Sequence, residues 1–284
     1  MSDTGRYGLL GDPVTHSLSP RLYRAAFAYL QIPAVYQAHR VPRDDSTALR
    51  RWMIELGASG GGNVTVPHKG LAASHLEVSS GTVDRTGACN CFWLDSAGRL
   101  VGDNTDVEGF LAATTDLTEL RLEGASVLIL GAGGAARAVA LACSEAGVRQ
   151  LVVCNRTVSR AEALVSHLGI ERVASVASPL DVSSGVWDVV VNATSLGLAP
   201  GDPLPLTLQS DRFGCAFDLV YGPGGTEWTR HAVAQGIPAI DGLSMLVSQA
   251  VLSLARWLGL LPDRRSVTRE MRQAAIGSFR LGSS

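Results

Sequence analysis

Lys69 sits where a cation is least expected. Pro67-His68-Lys69 follows the stretch Asn63-Val64-Thr65-Val66, which reads as a short strand, and opens the next helical run. A positive charge at a helix N-terminus is disfavoured by the macrodipole by roughly a few tenths of a kcal/mol. A lysine placed against that gradient invites a functional reading, because an ammonium can carry a proton or stabilise a developing oxyanion. His68 beside it either packs or caps. Further on, Gly102-Asp103-Asn104-Thr105-Asp106 crowds two carboxylates, an amide and a hydroxyl together. Turn chemistry, with a cap for a helix starting near Asp106, accounts for one or two of these groups and leaves the others for a ligand or a reaction. In His16-Ser17-Leu18-Ser19-Pro20, Ser19 reads as an N-cap and Pro20 as the first helical residue. Ser17 is then left over, so a pair of hydroxyls facing a polar ligand stands beside the capping reading. Gln249 lies among Met245, Leu246, Val247, Ala250, Leu252 and Leu254. A buried amide there must find partners or cost about 1 to 3 kcal/mol.

A second kind of chemistry is written in Val127 to Arg137. Four apolar residues run into Gly131-Ala132-Gly133-Gly134-Ala135-Ala136, a G-x-G-x-x-A pattern. Gly131 permits the tight turn, Gly133 lets the backbone approach a pyrophosphate, and Ala136 lets the helix lie close on the strand. The amides from Gly131 to Ala135 then face the anion. The context is right for a dinucleotide: an apolar strand before, a helical run from Ala135 to Ala146 after, Gly147 as a stop and a second strand from Leu151 to Cys154. That strand ends at Asn155-Arg156-Thr157, near the roughly 20 residues past the first glycine at which an NAD enzyme places a ribose-binding acid. No acid is there. Arg156 and Arg160, with the Thr157 hydroxyl between them, are placed to meet a 2′-phosphate, so the expected cofactor is NADP.

These residues need a scaffold, and the rest of the chain describes one. Strands at Tyr7 to Leu10 and Ala34 to Val41 alternate with helices at Pro20 to Leu30 and Asp44 to Leu56, and a hairpin follows with strands Cys89 to Leu94 and Leu100 to Val101. Beyond the fingerprint, apolar runs at Val173 to Val176, Val186 to Val191, Ala216 to Val220 and Ile237 to Ile240 complete six strands, the number of a doubly wound parallel sheet. A helix from about Leu243 to Leu258 and another near Ser266 to Ile276 close the chain. The predicted class is therefore α/β.

Composition agrees: 284 residues, 46% hydrophobic and 31 glycines suit one or two α/β domains with tight strand-helix turns. A net charge of -2 without a basic stripe argues against a nucleic-acid partner. No apolar run reaches the roughly 18 residues of a membrane span and no signal-like segment opens the chain, so a cytoplasmic protein with no membrane partner is expected. Five scattered cysteines point to reduced thiols. Cys89-x-Cys91 has no companion Cys/His pair at zinc spacing, so no metal is expected.

The motifs together resemble the shikimate dehydrogenase family. Ser17-Leu18-Ser19-Pro20, Asn63-Val64-Thr65-Val66-Pro67 with Lys69, Gly87-Ala88-Cys89-Asn90 and Gly102 to Asp106 occur in that family's order and spacing. Asn192-Ala193-Thr194-Ser195-Leu196-Gly197 is similar to its cofactor loop, and Asp218 to Pro223 to another family segment. The resemblance implies NADP-dependent, reversible reduction of 3-dehydroshikimate to shikimate in aromatic amino-acid biosynthesis, by a monomer or homodimer. Quinate and aminoshikimate dehydrogenases of the same family are the alternatives, and an inactive nucleotide sensor a weaker one, because binding alone needs neither Lys69 nor Asp106. It also implies a substrate domain of residues 1–106 completed by 243–284, with a Rossmann domain of residues 107–242 inserted. Ser17, Ser19, Thr65, Asn90 and Gln249 are then expected to contact substrate, and Lys69 and Asp106 to form the catalytic pair. Tyr221 either joins the substrate contacts or ends a strand. Thr194, Asn155 and Gly242 join the fingerprint and the arginines on the cofactor. The chain departs from the family pattern at His68, where Phe is common, at Cys91 for Thr, at Val107 for Gly, at Leu198 for Met and at Gly222 for Asn.

Overall fold

Glycine rather than alternating side chains builds the strand at the centre of the first sheet. The computed structural model describes residues 4–115, 121–179, 182, 185–199, 201–259, 261 and 263–281. They form two compact units, one running to Gly109 and resuming at Leu246, the other from Phe110 to Met245. The first contains β1 (Gly5–Gly11), α1 (Ser19–Tyr29), β2 (Ala34–Arg40), α2 (Ser46–Gly57), β3 (Gly60–Val64), α3 (Lys69–Ala73), β4 (Val78–Ser79), α4 (Gly81–Thr86), β5 (Cys91–Leu94), β6 (Leu100–Asp103) and the start of α5 (Asp106–Thr114). Its sheet runs β2-β1-β3-β5-β6-β4. β1 is parallel to β2 and β3, while β3 with β5 and β5 with β6 are antiparallel.

The expected strand Asn63 to Val66 is corrected by this ladder, which pairs Arg6 with Gly60 through Leu10 with Val64 and leaves Thr65 and Val66 outside. A Cβ at Gly60 would lie 2.5 Å from the Tyr7 ring, and one at Gly62 2.5 Å from the Phe92 ring. Gly61, at φ +145°, faces the Trp257 indole. The three glycines therefore admit three aromatic rings against the strand. The hairpin is shifted as well: its first strand starts at Cys91 rather than Cys89, and its second extends to Asp103. β4 and α4 were not expected; α4 is capped by the Ser80 hydroxyl on Val83 N and closed by Gly87 in the left-handed conformation.

Ser19 is not the N-cap of α1. Leu18 already has helical angles, so the helix begins one residue early and Ser19 is its first residue, with the Ser17 hydroxyl accepting from Ser19 N at 3.2 Å. α9 (Leu243–Leu258) returns to this unit past Leu246, and α10 (Arg264–Leu281), longer than expected, packs along α1. Trp257 of α9 lies 4.9 Å from Tyr7 and 5.1 Å from Tyr23, ring centre to ring centre, which ties the end of the chain to its beginning.

The second unit is a parallel six-stranded sheet of order β12-β11-β10-β7-β8-β9. It comprises β7 (Ser126–Leu130), α6 (Gly134–Glu145), β8 (Gln150–Cys154), α7 (Val158–Leu168), β9 (Ala174–Ala177), β10 (Trp187–Asn192), β11 (Phe213–Asp218), α8 (Glu227–Ala234) and β12 (Ala239–Ile240). The order reverses between β7 and β10, and a doubly wound sheet binds ligands at the carboxyl ends of its strands beside such a switch point. Leu128, Val190 and Ala216 on adjacent strands are fully buried, as are Ala136, Ala138 and Val139 of α6. The small helix side chains let α6 lie close on the sheet. Among the described residues no helix is long and apolar enough to cross a membrane.

Candidate active site

Two helix N-termini and one loop bring the reactive groups of the first unit together. Lys69 is the first residue of α3, and Asp106 is the first of α5, where a carboxylate suits the dipole. Lys69 Nζ donates to Asp106 Oδ2 at 2.5 Å, with only 14% and 6% of the two side chains exposed. The other carboxylate oxygen, Oδ1, accepts from Asn90 Nδ2 at 2.8 Å. Asn90 comes from the loop between α4 and β5. Its Oδ1 accepts from Thr105 N at 2.8 Å, which fixes the amide with its nitrogen toward Asp106. Gln249 Oε1 lies 3.3 Å from the same Asn90 nitrogen, and Gln249 Nε2 donates to Leu246 O at 2.8 Å. The buried amide thus finds its partners within the protein.

Beneath this cluster the polar groups continue. Thr105 Oγ1 lies 3.2 Å from both Gln249 O and Ser253 Oγ, and Ser253 accepts from Asn63 Nδ2 at 2.9 Å. Asn63 Oδ1 in turn accepts from the Tyr23 and Tyr36 hydroxyls, each at 2.9 Å. Of these supports, Ser253 was not singled out in the sequence, while Thr105 entered only as the hydroxyl of the Gly102–Asp106 cluster and Asn63 only as part of the Asn63–Val66 stretch. The available signal for Ser253 was its place one turn beyond Gln249 on a largely apolar helix that also carries Ser244, Ser248 and Arg256. Arg256, two turns beyond Gln249, donates to Asp103 Oδ2 at 2.7 Å and anchors α9 at the base of the site. Burial pushes the Cys89 thiol up to about 12 and lifts Cys91 well above its ordinary value. These neighbours of Asn90 therefore stay protonated and are not nucleophiles.

The remaining expected substrate groups occupy the first unit, except Tyr221. The Ser17 and Ser19 hydroxyls lie 3.2 Å apart as a pair. Thr65 follows β3, its N–H donating to Leu10 O. His68 packs: it is buried, with Nε2 2.7 Å from Val41 O. Cys91 and Val107 are also buried, so the core absorbs these departures from the family pattern. Tyr221 belongs to the second unit, following β11.

At the carboxyl end of the second sheet, Gly131 has φ +109°, and a Cβ there would lie 2.8 Å from Ala193 O. Gly133 caps α6 without a side chain, and a Cβ on it would meet nothing within 4 Å. Open space before a helix N-terminus of exposed amides fits a pyrophosphate. Asn155 Nδ2 donates to Thr157 O at 2.8 Å, which shapes the turn after β8, and Arg156 and Arg160 beside it are exposed. Thr194 donates to Asn192 Oδ1 through both N–H and hydroxyl. A Cβ at Gly242 would meet Leu219 O at 2.2 Å, so glycine is required for the chain to pass there. The donors present suit a phosphorylated dinucleotide: a glycine turn for the pyrophosphate and guanidinium groups for a further phosphate.

The folds and motifs define a dehydrogenase with a separate dinucleotide-binding unit. Residues 9–92 match the model of the shikimate dehydrogenase substrate binding domain, and residues 112–197 that of shikimate / quinate 5-dehydrogenase. The shikimate dehydrogenase (NADP(+)) of Geobacillus kaustophilus is 36% identical over 96% of this chain and 98% of its own. The solved shikimate 5-dehydrogenase of Thermus thermophilus, in complex with NADP(H) and shikimate, is 39% identical with a TM-score of 0.80, covering 95% of this chain and 99% of that one. That of Aquifex aeolicus is 31% identical with a TM-score of 0.84, covering 96% and 99%. The chain belongs to the shikimate dehydrogenase family.

Proposed function

We propose that this protein catalyses the NADP-dependent, reversible reduction of 3-dehydroshikimate to shikimate in aromatic amino-acid biosynthesis, with the first unit binding substrate and the second NADP. The observation that carries the reading is the largely buried Lys69–Asp106 pair held by Asn90, in a chain of this family. NADPH supplies the hydride when bound. Lys69 Nζ gives a proton to the substrate oxygen that becomes the alcohol, and takes it back in the oxidative direction. Asp106 keeps the ammonium in place and offsets its charge. Asn90 and Gln249, with Thr65, Ser17 and Ser19, hold the polar groups of the ring. The amides from Gly131 to Ala135 receive the pyrophosphate, and Arg156, Thr157 and Arg160 the 2′-phosphate. Thr194, Asn155 and Gly242 shape the rest of the nucleotide site. All five cysteines are buried and none is in a disulfide, in keeping with a reducing cytoplasm.

The test is a steady-state panel with shikimate and quinate, each with NADP+ and NAD+. A kcat/KM highest for shikimate with NADP+ is expected. A higher value with quinate, or an equal value with NAD+, would overturn the assignment of substrate or cofactor respectively.

A further inference from the structure

The carboxyl end of the second sheet holds a buried carboxylate that the reaction does not use. Asp218, the last residue of β11, has 0% of its surface exposed. A carboxylate without water must be given donors. Asn192 Nδ2 donates to its Oδ1 at 2.8 Å, Val220 N to the same oxygen at 3.0 Å, and Thr226 Oγ1 to its Oδ2 at 2.7 Å.

Asn192, the last residue of β10, is equally buried. Its Oδ1 accepts from Thr194 N at 3.1 Å and Thr194 Oγ1 at 2.7 Å, while its Nδ2 donates to Leu196 O at 3.1 Å and to Asp218. The two ends of a carboxamide have nearly the same shape, so their orientation must be set by what they face. Rotated by half a turn, the Asn192 oxygen would face the Asp218 carboxylate, and Thr194 would lose its acceptor. Asp218 therefore acts with the Thr194 N–H and Leu196 O to fix which end of Asn192 reaches the loop, and it is the charged member of the three. That loop lies on the nucleotide turn: Ala193 N donates to Leu130 O at 2.8 Å, and Gly131 is the residue whose missing Cβ makes room for Ala193 O.

We propose that Asp218 is a positioning residue for the cofactor: by accepting the Asn192 amide N–H it orients that side chain and, through it, sets the loop from Thr194 to Leu196 against the dinucleotide turn. The inference rests on the NADP reading above. Asp218 touches no ligand itself, so its effect falls on cofactor affinity and leaves the first unit alone.

The experiment measures KM for NADP+ and for shikimate, kcat and thermal unfolding in the full chain. Asp218→Ala is expected to raise KM for NADP+ about tenfold or more, the scale of one hydrogen bond to a charged group. KM for shikimate should stay within about twofold. Asp218→Asn should restore the cofactor KM to within about threefold, because its oxygen can still accept from Asn192 and Val220. Its amide nitrogen can donate to Thr226 Oγ1, whose hydroxyl then turns to Thr229 Oγ1 at 3.3 Å. Thr226→Val separates positioning from support: it removes a bond to the carboxylate oxygen that does not face Asn192, so it should lower thermal stability without moving KM for NADP+. If Asp218→Ala does not fold, Asn192→Asp reads the link from its other end, keeping size and the acceptor for Thr194 but offering no N–H to Asp218 or to Leu196 O. The same rise in cofactor KM is expected. A cofactor KM unchanged in Asp218→Ala or Asn192→Asp, or raised as far in Thr226→Val, would overturn the proposal. A wild-type enzyme that turns over shikimate but does not prefer NADP+ would instead overturn the cofactor reading on which it rests.

Discussion

Asp106→Asn is the most exacting test of the proposed proton-transfer pair, because the substitution changes almost nothing in shape. Both carboxylate oxygens face donors, Oδ2 the Lys69 ammonium at 2.5 Å and Oδ1 the Asn90 nitrogen at 2.8 Å. A carboxamide has one acceptor end and one donor end. If its oxygen faces Lys69, its NH2 group meets that of Asn90, which cannot rotate away without giving up the bond from Thr105 N at 2.8 Å. If it is turned round, its NH2 group meets an ammonium. One donor-donor contact is unavoidable, so Lys69 loses its fixed position or Asn90 does. The pair is 14% and 6% exposed, outside the solvent-exposed regime in which ion pairs contribute little. A hydrogen bond to a charged group is worth about 1.5 to 3 kcal/mol, which converts to a fall in kcat of roughly 10- to 150-fold. The assay is NADP-linked oxidation of shikimate at saturating concentrations of both, following absorbance of the reduced cofactor, after thermal unfolding has established that the variant is folded. Lys69→Met, which removes the proton carrier itself, should lose more, about 10²- to 10⁴-fold. Asp106→Asn within about threefold of wild type would refute the positioning argument, and Lys69→Met retaining about a tenth or more of kcat would remove Lys69 from proton transfer.

Other perturbations separate the two units and the stability of each. Arg156→Ala and Arg160→Ala, at exposed positions after β8, should each raise KM for NADP+ about tenfold or more while leaving that for NAD+ unchanged, and equal effects on both cofactors would refute 2′-phosphate recognition. Gly109→Ala would place a Cβ 2.8 Å from Gln249 Cβ; overpacking of this kind costs about 1 to 3 kcal/mol, so a lower Tm with a raised KM for shikimate is expected, and an unchanged Tm would count against the close approach of α5 and α9. The Asp188 carboxyl is held below its ordinary value mainly by hydrogen bonds from Ser126 N and Oγ. Because the folded value is the lower one, this stabilisation is complete above a pH of about 4 and is lost as the pH falls through the folded value. The stability gap between wild type and Ser126→Ala in urea unfolding should therefore narrow between about pH 7 and pH 2, and a constant gap would show that Asp188 titrates normally.

Legibility in the sequence followed the physics of each element. The six parallel strands could be read because strands buried on both faces are near-continuous apolar runs, as Val127 to Leu130 and Val189 to Val191 are. Of β3 only Asn63 and Val64 could be, because Gly60, Gly61 and Gly62 carry no side chains to alternate; what makes them a strand is Tyr7, Phe92 and Trp257, which are distant in sequence. The start of α1 was misplaced by one residue because Leu18 adopts helical angles, a matter of local geometry that a Ser-Leu-Ser-Pro pattern does not reveal. Lys69 stood out because its placement is locally unfavourable, and Asp106 because its cluster held more polar groups than a turn needs. Thr105 was legible only as one hydroxyl of that cluster, and Ser253 only as a serine one turn beyond Gln249. A threonine in a turn and a serine on a helix are ordinary, and their pairing spans 148 positions.

Gln249 shows where the reasoning from burial stops. Its amide does need partners, but Leu246 O and Asn90 supply them, so burial alone does not demand a ligand. Ser17 and Ser19 likewise pair with one another. A substrate hydroxyl arriving at such groups exchanges one neutral hydrogen bond for another, and the net gain is a small difference between terms of about 0.5 to 1.5 kcal/mol. In the proposed substrate site these residues would therefore select the shape and polarity of the ring more than they would drive its binding. Lys69 is different. An ammonium has three N–H donors, and among the described residues one is given to Asp106. The same bond that fixes the nitrogen leaves it able to donate to a substrate oxygen without first breaking an internal contact. A group held in place before the reaction, with donor capacity in hand, has little reorganisation left to undergo when charge develops on that oxygen.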